Sequence, residues 1–119
     1  MTREEFTKNI TALGIKKNEV IDQQAPFAST RKITFFFETI DGVKLIFRGG
    51  YDPDAYASLT KTPKEMMYDM AFDSLIVELQ MLLLQEGRID DFIKQYGWDR
   101  LEELAETYPN VQKWLAAPR

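Results

Sequence analysis

Apolar residues recur at helical spacing near the start of the chain, behind a capping box formed by Thr2 and Glu5. This pattern predicts a helix from about Arg3 to Leu13. The stretch 15–30 that follows is mostly polar. It therefore predicts no more than a short strand near Val20.

Two runs rich in strand-forming residues, Arg31 to Ile40 and Val43 to Arg48, flank the pair Asp41-Gly42. Asp-Gly between such runs is a strong signal for a hairpin with a two-residue loop. With that loop, one face is predicted to carry apolar residues: Phe36, Ile40, Val43, Leu45 and Phe47. The other face is predicted to mix apolar and basic residues: Ile33, Phe35, Phe37, Lys44, Ile46 and Arg48.

A long helix is predicted next, because Thr62 can cap it and Pro63 suits its first position. It should end near Glu86, before Gly87. Two apolar stripes run along it, and we expect one to pack on the sheet and the other on the helices that follow. The stripes are Met66, Met70, Val77, Met81 and Leu84, and Phe72, Leu75, Ile76, Leu79, Leu82 and Leu83.

Three shorter helices are predicted behind it, with apolar repeats that start at Ile89, Leu101 and Val111. We expect Asp99 to cap the second helix and Pro109 to open the third. The whole order predicts one α+β domain over residues 1–119. It has an N-terminal helix, an antiparallel hairpin-based sheet, a long central helix and a C-terminal run of short helices on one side.

The 119 residues include no cysteine and no histidine, which removes thiolate nucleophiles, imidazole bases and nearly all zinc sites. Carboxylate pairs such as Asp52 and Asp54 could hold a divalent cation, but they lack the further ligands of a calcium loop. We interpret them as solvated or helix-favouring acids. The sequence predicts no catalytic residue, no metal site, no cofactor and no enzymatic activity.

The net charge is −4, divided as +1 over residues 1–61 and −5 over residues 62–119. This balance argues against binding to duplex DNA or to an anionic membrane, since both need a basic surface. The polar N-terminus and the lack of a long apolar stretch predict a cytoplasmic protein. Monomer and homodimer both remain open.

Three motifs resemble those of a group of small phage and prophage proteins without an assigned activity: Thr62-Pro63, Asp90-Asp91-Phe92 and Tyr96-Gly97-Trp98-Asp99. The resemblance covers about residues 33–115. Where that group often has a tryptophan-cysteine pair, this chain has Phe92-Ile93. The resemblance implies an origin on a phage or another mobile element, where small proteins often bind a host or defence enzyme.

The leading hypothesis is a protein-binding module that inhibits or modulates a nucleic-acid enzyme of the host or of a defence system, as an anti-CRISPR protein does. Its acidic C-terminal helices would meet a basic partner surface. The residues expected to bind are Asp90, Asp91, Trp98, Glu102, Glu103 and Glu106.

The alternative is an accessory protein that binds single-stranded nucleic acid through the mixed hairpin face. Phe35 and Phe37 would stack on bases while Lys44 and Arg48 meet phosphates. This hypothesis requires Phe35 and Phe37 to be exposed to solvent.

Overall fold

The structure, a computed structural model, describes residues 1–24, 29–55 and 61–115. The helices are α1 (Arg3–Ala12), α2 (Pro63–Gln85), α3 (Ile89–Tyr96), α4 (Trp98–Thr107) and α5 (Gln112–Leu115), with a 3₁₀ turn at Pro109–Val111. The strands are β1 (Ile15–Gln24), β2 (Arg31–Thr39) and β3 (Lys44–Tyr51). This order confirms the predicted α+β class.

The chain forms two compact units, residues 1–76 and 77–119, and α2 contributes to both. The first unit contains α1, the sheet and the N-terminal part of α2. The second contains the remainder of α2 and the helices that follow it. One domain over residues 1–119 stays a prediction.

The sheet is antiparallel in the order β1-β2-β3. β1 is ten residues long, well beyond the short strand predicted near Val20. A register shift between Ile15 and Lys17 leaves Lys16 as an extra residue in the strand. This bulge lets Ile15 turn into the core, where it is buried.

The register of the β2–β3 hairpin differs by one residue from the prediction. Thr39 donates its backbone N–H to Val43 at 2.9 Å, so the loop has three residues, 40–42. Gly42 adopts a φ of 86° in this loop, the left-handed conformation that a three-residue hairpin needs. Phe37 therefore pairs with Leu45, and Phe35 pairs with Phe47. The predicted division of β2 and β3 between two faces is wrong, because a one-residue slip moves every side chain of one strand to the other face.

The core of the first unit is built on aromatic rings. Phe6 of α1 lies with its ring centroid 5.4 Å from that of Phe35 and 5.0 Å from that of Tyr68 on α2. Phe35 also contacts Phe37 and Phe47 along the sheet. The sheet face beneath α1 and the first part of α2, which we call the inner face, is thus closed by packed rings.

Within the first unit, the buried side of α2 matches neither predicted stripe as a whole. Met67, Ala71 and Leu75 are buried, whereas Met66 and Met70 are 38% and 52% exposed. Met67 lies so close to Gly49 of β3 that a Cβ at that glycine would collide with it. Leu75 belongs to the second predicted stripe, whereas Met67 and Ala71 belong to neither, so the buried side runs next to the Met66–Met70 positions.

The core of the second unit joins the end of α2 to α3, α4 and the 3₁₀ turn, through Leu84, Phe92, Leu101, Leu104, Ala105 and Val111. The three C-terminal helices begin close to their predicted positions, and Pro109 opens the 3₁₀ turn as expected. α4 begins at Trp98 behind Gly97, so the prediction that Asp99 caps it is wrong.

Candidate protein-binding site

The two phenylalanines of the predicted nucleic-acid site face the core. Phe35 and Phe37 are only 0% and 3% exposed, and their rings pack against Phe6. Lys44 and Arg48 lie on the opposite face of the sheet, because the hairpin register places them beside Glu38 and Thr34. The prediction that these four residues form a stacking platform for nucleic-acid bases is therefore wrong.

The opposite side of the sheet, here called the outer face, consists of side chains from all three strands. Its residues are Lys17, Glu19, Ile21 and Gln23 of β1, Lys32, Thr34, Phe36 and Glu38 of β2, and Lys44, Ile46 and Arg48 of β3. They form cross-strand rows, of which Glu19, Phe36 and Ile46 make the central one. Four cations and two carboxylates give this face a positive balance.

Apolar side chains are exposed at the middle of the outer face. Ile46 is 51% exposed, Ile21 is 36% exposed, and Phe36 between their strands is half-buried. A shallow depression of about 800 Å³ opens beside Phe36, Ile46, Lys17 and Lys44. An apolar centre with a charged rim is the usual anatomy of a protein interface.

Glu38 holds the hairpin end of the outer face together electrostatically. Its carboxylate lies 3.3 Å from the Nζ atom of Lys16 and 3.9 Å from that of Lys17. One carboxylate oxygen is buried and accepts no hydrogen bond within the described residues, so these ion pairs are its compensation. Lys44 is its cross-strand neighbour on the other side.

A polar cluster occupies the other end of the sheet, on the inner face. The carboxylate of Asp22 accepts hydrogen bonds from Arg31 Nε at 2.8 Å and Tyr51 Oη at 2.6 Å. Lys64 Nζ of α2 lies 3.1 Å from the same carboxylate. Partial burial acts to raise the pKa of Asp22, but the hydrogen bonds from Tyr51, Arg31 and Lys64 outweigh it and hold the pKa below its usual value.

The same cluster shifts the pKa of Tyr51 upward, in the opposite direction to that of Asp22. Burial, together with its hydrogen bond to the Asp22 carboxylate, raises the pKa of Tyr51 to about 12. Arg31 also donates from Nη2 to the backbone oxygen of Asp22, at 3.3 Å. The cluster thus joins β1, β2, β3 and α2, and every charge in it has a partner, which is typical of a structural network.

The acidic residues predicted to bind a partner lie on the surface of the second unit. Asp90 and Asp91 are exposed on α3, and Glu102, Glu103 and Glu106 are exposed on α4. Asp91 pairs with Arg88 at 2.8 Å, and Glu103 pairs with Arg100 at 2.9 Å.

The aromatic residues near them belong to the core margin. Trp98 and Trp114 are half-buried against the helical core, and Tyr96 packs on Phe92 with ring centroids 5.3 Å apart. Trp98 is therefore a packing residue of the helical core.

Sequence reasoning missed the contribution of β1 to the outer face. Lys17, Glu19 and Ile21 alternate with Asn18, Val20 and Asp22, so a period of two was present, but the mainly polar composition hid it. The Asp22 cluster had no local signal, since its members come from four separate elements.

No group of three or more metal-ligating side chains is found within residues 1–24, 29–55 and 61–115. Across these same ranges, every helix is too short or too polar to cross a membrane. Comparisons with protein-family models, with curated proteins and with solved structures found no significant match to this chain.

Proposed function

We propose that this chain is a non-enzymatic protein-binding module that works in the cytoplasm and binds its partner through the outer face of the sheet. The observation that carries the proposal is the exposure of Ile46 and Ile21 around Phe36. Antiparallel sheets usually present polar side chains on a solvated face, so apolar residues at its centre favour a protein partner.

The charges at the rim favour a partner surface with acidic groups. Lys17, Lys32, Lys44 and Arg48 surround the apolar centre. Glu19 and Glu38 lie among them, and both would repel a phosphate backbone. Phe36 is the aromatic residue of this face, which is fewer rings than a stacking platform for successive bases uses.

The test is affinity capture from an extract of the source cells, followed by mass spectrometry, with the wild-type chain and two variants. Ile46→Glu places a charge at the centre of the outer face. Met70→Glu is the matched control, because Met70 is exposed to the same degree on α2. Both variants should keep their melting temperature within a few degrees, since surface substitutions change stability little.

A partner retained by wild type and by Met70→Glu but lost with Ile46→Glu supports the proposal. A partner captured equally by all three proteins contradicts the assignment to the outer face. A single-stranded oligonucleotide that competes with the captured protein at physiological salt would favour the nucleic-acid hypothesis in its place.

A second candidate surface is the acidic side of α4, which would steer a basic partner. Asp99, Glu102, Glu103 and Glu106 recur at i, i+3, i+4 and i+7, and all four are exposed. This row presents one sign of charge along a side of the helix, which speeds the encounter with an oppositely charged surface. Inhibition of a nucleic-acid enzyme, with Asp90 and Asp91 at the margin of the contact, is the form of this proposal that the phage resemblance suggests.

A further inference from the structure

A groove of about 390 Å³ runs along the first unit between α1 and β1. The side chains of Arg3, Thr7 and Thr11 line its helical wall, one turn apart. Residues 15–18 of β1 line the opposite wall, and Phe6 and Ile10 form an apolar floor. The groove shares Lys17 with the rim of the outer face, but the centre of the outer face lies on the other side of the sheet.

The wall formed by β1 is an edge strand. In the described part of the chain, β1 pairs with β2 alone, over nearly its whole length. Apart from the ladder with β2, residues 16–23 form no backbone hydrogen bond to any described residue. Alternate residues of an edge strand direct their N–H and C=O groups away from the sheet, where an added strand can pair with them.

The groove has a strongly positive lining. Arg3, Lys16, Lys17 and Lys64 contribute four cations, and the lysine side chains are 45%, 76% and 46% exposed. Two carboxylates offset part of this charge, because Asp22 pairs with Lys64 and Glu38 lies within 4 Å of Lys16 and Lys17, so that four cations face two anions. This is a local excess of positive charge on a protein of net charge −4.

We propose that the groove binds an acidic peptide segment in extended conformation, which adds as a fourth strand beside β1. The free backbone groups of β1 would hold the peptide main chain, as in other cases of strand addition. Alternate side chains of the peptide would point toward α1, where their carboxylates meet Arg3 and Lys16. The proposal concerns a surface of its own and stands whether or not the outer face binds a partner.

The positive charge of the lining favours an acidic peptide over a second copy of the chain. A second copy that paired through the start of its own β1 would bring Lys16 and Lys17 toward the same lysines, and like charges that face each other disfavour that register. Strand pairing also requires N–H donors on the ligand, which a polyphosphate backbone does not have. An acidic peptide supplies both the donors and the opposite charge.

The experiment is a two-dimensional ¹H–¹⁵N titration of the labelled chain with an acetylated, amidated heptapeptide of alternating glutamate and valine. We expect the largest shifts at the amides of residues 16–22, with binding that weakens as salt rises. A peptide with proline in place of each valine keeps the charge but lacks the N–H donor at every valine position, and it should not bind. Absence of shifts in β1 with the valine peptide at millimolar concentration overturns the proposal.

Two double variants of equal net charge separate a specific groove from general attraction. Arg3→Gln with Lys16→Gln removes two cations of the lining and should weaken binding about fivefold, from two exposed ion pairs. Lys8→Gln with Lys94→Gln removes two exposed lysines outside the lining and should change affinity less than twofold. If both double variants lose the same amount of peptide affinity, the peptide does not bind specifically in the groove.

Three further outcomes would also count against the proposal. Equal binding of the proline peptide would rule out strand addition. Equal binding of an eight-nucleotide oligothymidylate would indicate a general polyanion site. A β1-mediated dimer in sedimentation experiments would indicate that a second copy is the occupant. Since Ile46→Glu leaves the groove intact, it should bind the valine peptide as wild type does, which distinguishes this site from the outer face.

Discussion

Tyr51 on β3 donates a 2.6 Å hydrogen bond to Asp22 on β1, although β2 lies between these two strands. Neighbouring strands are about 4.8 Å apart, so the side chains of Tyr51 and Asp22 and the hydrogen bond between them together cover roughly twice that spacing across the inner face. The bond ties together the two edges of the sheet. Arg31 of β2 completes the link, because it donates to the same carboxylate.

This link predicts a loss of stability at alkaline pH. Because the pKa of Tyr51 is raised from 10.0 in the unfolded chain to about 12 in the folded one, the folded state retains the phenolic proton longer. The contribution is present below pH 10 and is lost as the pH rises from 10 to about 12. We expect the folded state to lose about 1–2 kcal/mol of stability over that range, a value that already allows for the partial exposure of Tyr51.

Urea unfolding of wild type and Tyr51→Phe at several pH values measures this effect. The variant should be less stable than wild type at pH 8 and should lose less stability between pH 10 and 12. Burial also raises the pKa of Tyr96, so the difference between the two proteins isolates Tyr51. Parallel pH profiles for both proteins would contradict the expected role of the bond.

Asp22→Asn should destabilise the first unit by about 1–3 kcal/mol at pH 7, because Lys64 and Arg31 lose their anionic partner. The pKa of Asp22 is lowered in the folded state, so its contribution is present above about pH 4 and is lost as the pH falls through the folded pKa. The free energy of unfolding of the variant should therefore fall less than that of wild type as the pH is lowered below about 4. Asp73→Asn, at an exposed position of α2, is the control and should stay within about 0.5 kcal/mol of wild type.

Phe35→Ala and Phe36→Ala compare the two faces of β2 at adjacent positions. Phe35 is fully buried among aromatic rings, so its truncation should cost about 3–5 kcal/mol. Phe36 is half-buried on the outer face, and its truncation should cost less than half as much. Chemical denaturation of both variants provides the measurement, and the reverse order of stabilities would restore the register with a two-residue loop.

Glu102→Lys with Glu106→Lys should leave the melting temperature within a few degrees of that of wild type. Both side chains are exposed on α4, away from buried Leu101, Leu104 and Ala105. If the acidic side of α4 steers a basic partner, the double variant should associate more slowly, with a weaker salt dependence. Thermal melting followed by stopped-flow association checks both parts. Unchanged kinetics would remove this surface from consideration.

The helices could be predicted from sequence because their signals are local. The capping box of Thr2 and Glu5 is present as expected, with the backbone N–H of Glu5 donating to Thr2 Oγ1 at 3.2 Å. Thr62 likewise accepts from the backbone N–H of Glu65 at 3.2 Å, just before α2. These contacts lie within one turn of helix, where spacing along the chain fixes the geometry.

The hairpin faces could not be assigned from Asp41-Gly42 alone, because this pair fits loops of two or three residues. A further signal was present in the strands. With a three-residue loop, Phe35, Phe37, Leu45 and Phe47 all share one face, whereas a two-residue loop divides them. Grouping the largest apolar residues would have favoured the observed register, and with it the burial of Phe35 and Phe37.

The groove beside β1 was beyond sequence reasoning for a different reason. Arg3, Lys16 and Lys64 are far apart in the chain, and each was an ordinary surface cation by composition. Their proximity depends on α1, the β1 bulge and the start of α2 packing on one sheet face. Such tertiary convergence has no periodic signature along the chain.

The loop at residues 40–42 also limits how this sequence can change over evolution. Surface loops usually tolerate insertions and deletions of any length. Here, adding or removing one residue would exchange the two sides of β3 and drive Lys44, Ile46 and Arg48 toward the aromatic core in place of Leu45 and Phe47. Related chains should therefore vary this loop by an even number of residues, or carry a compensating bulge elsewhere in β3.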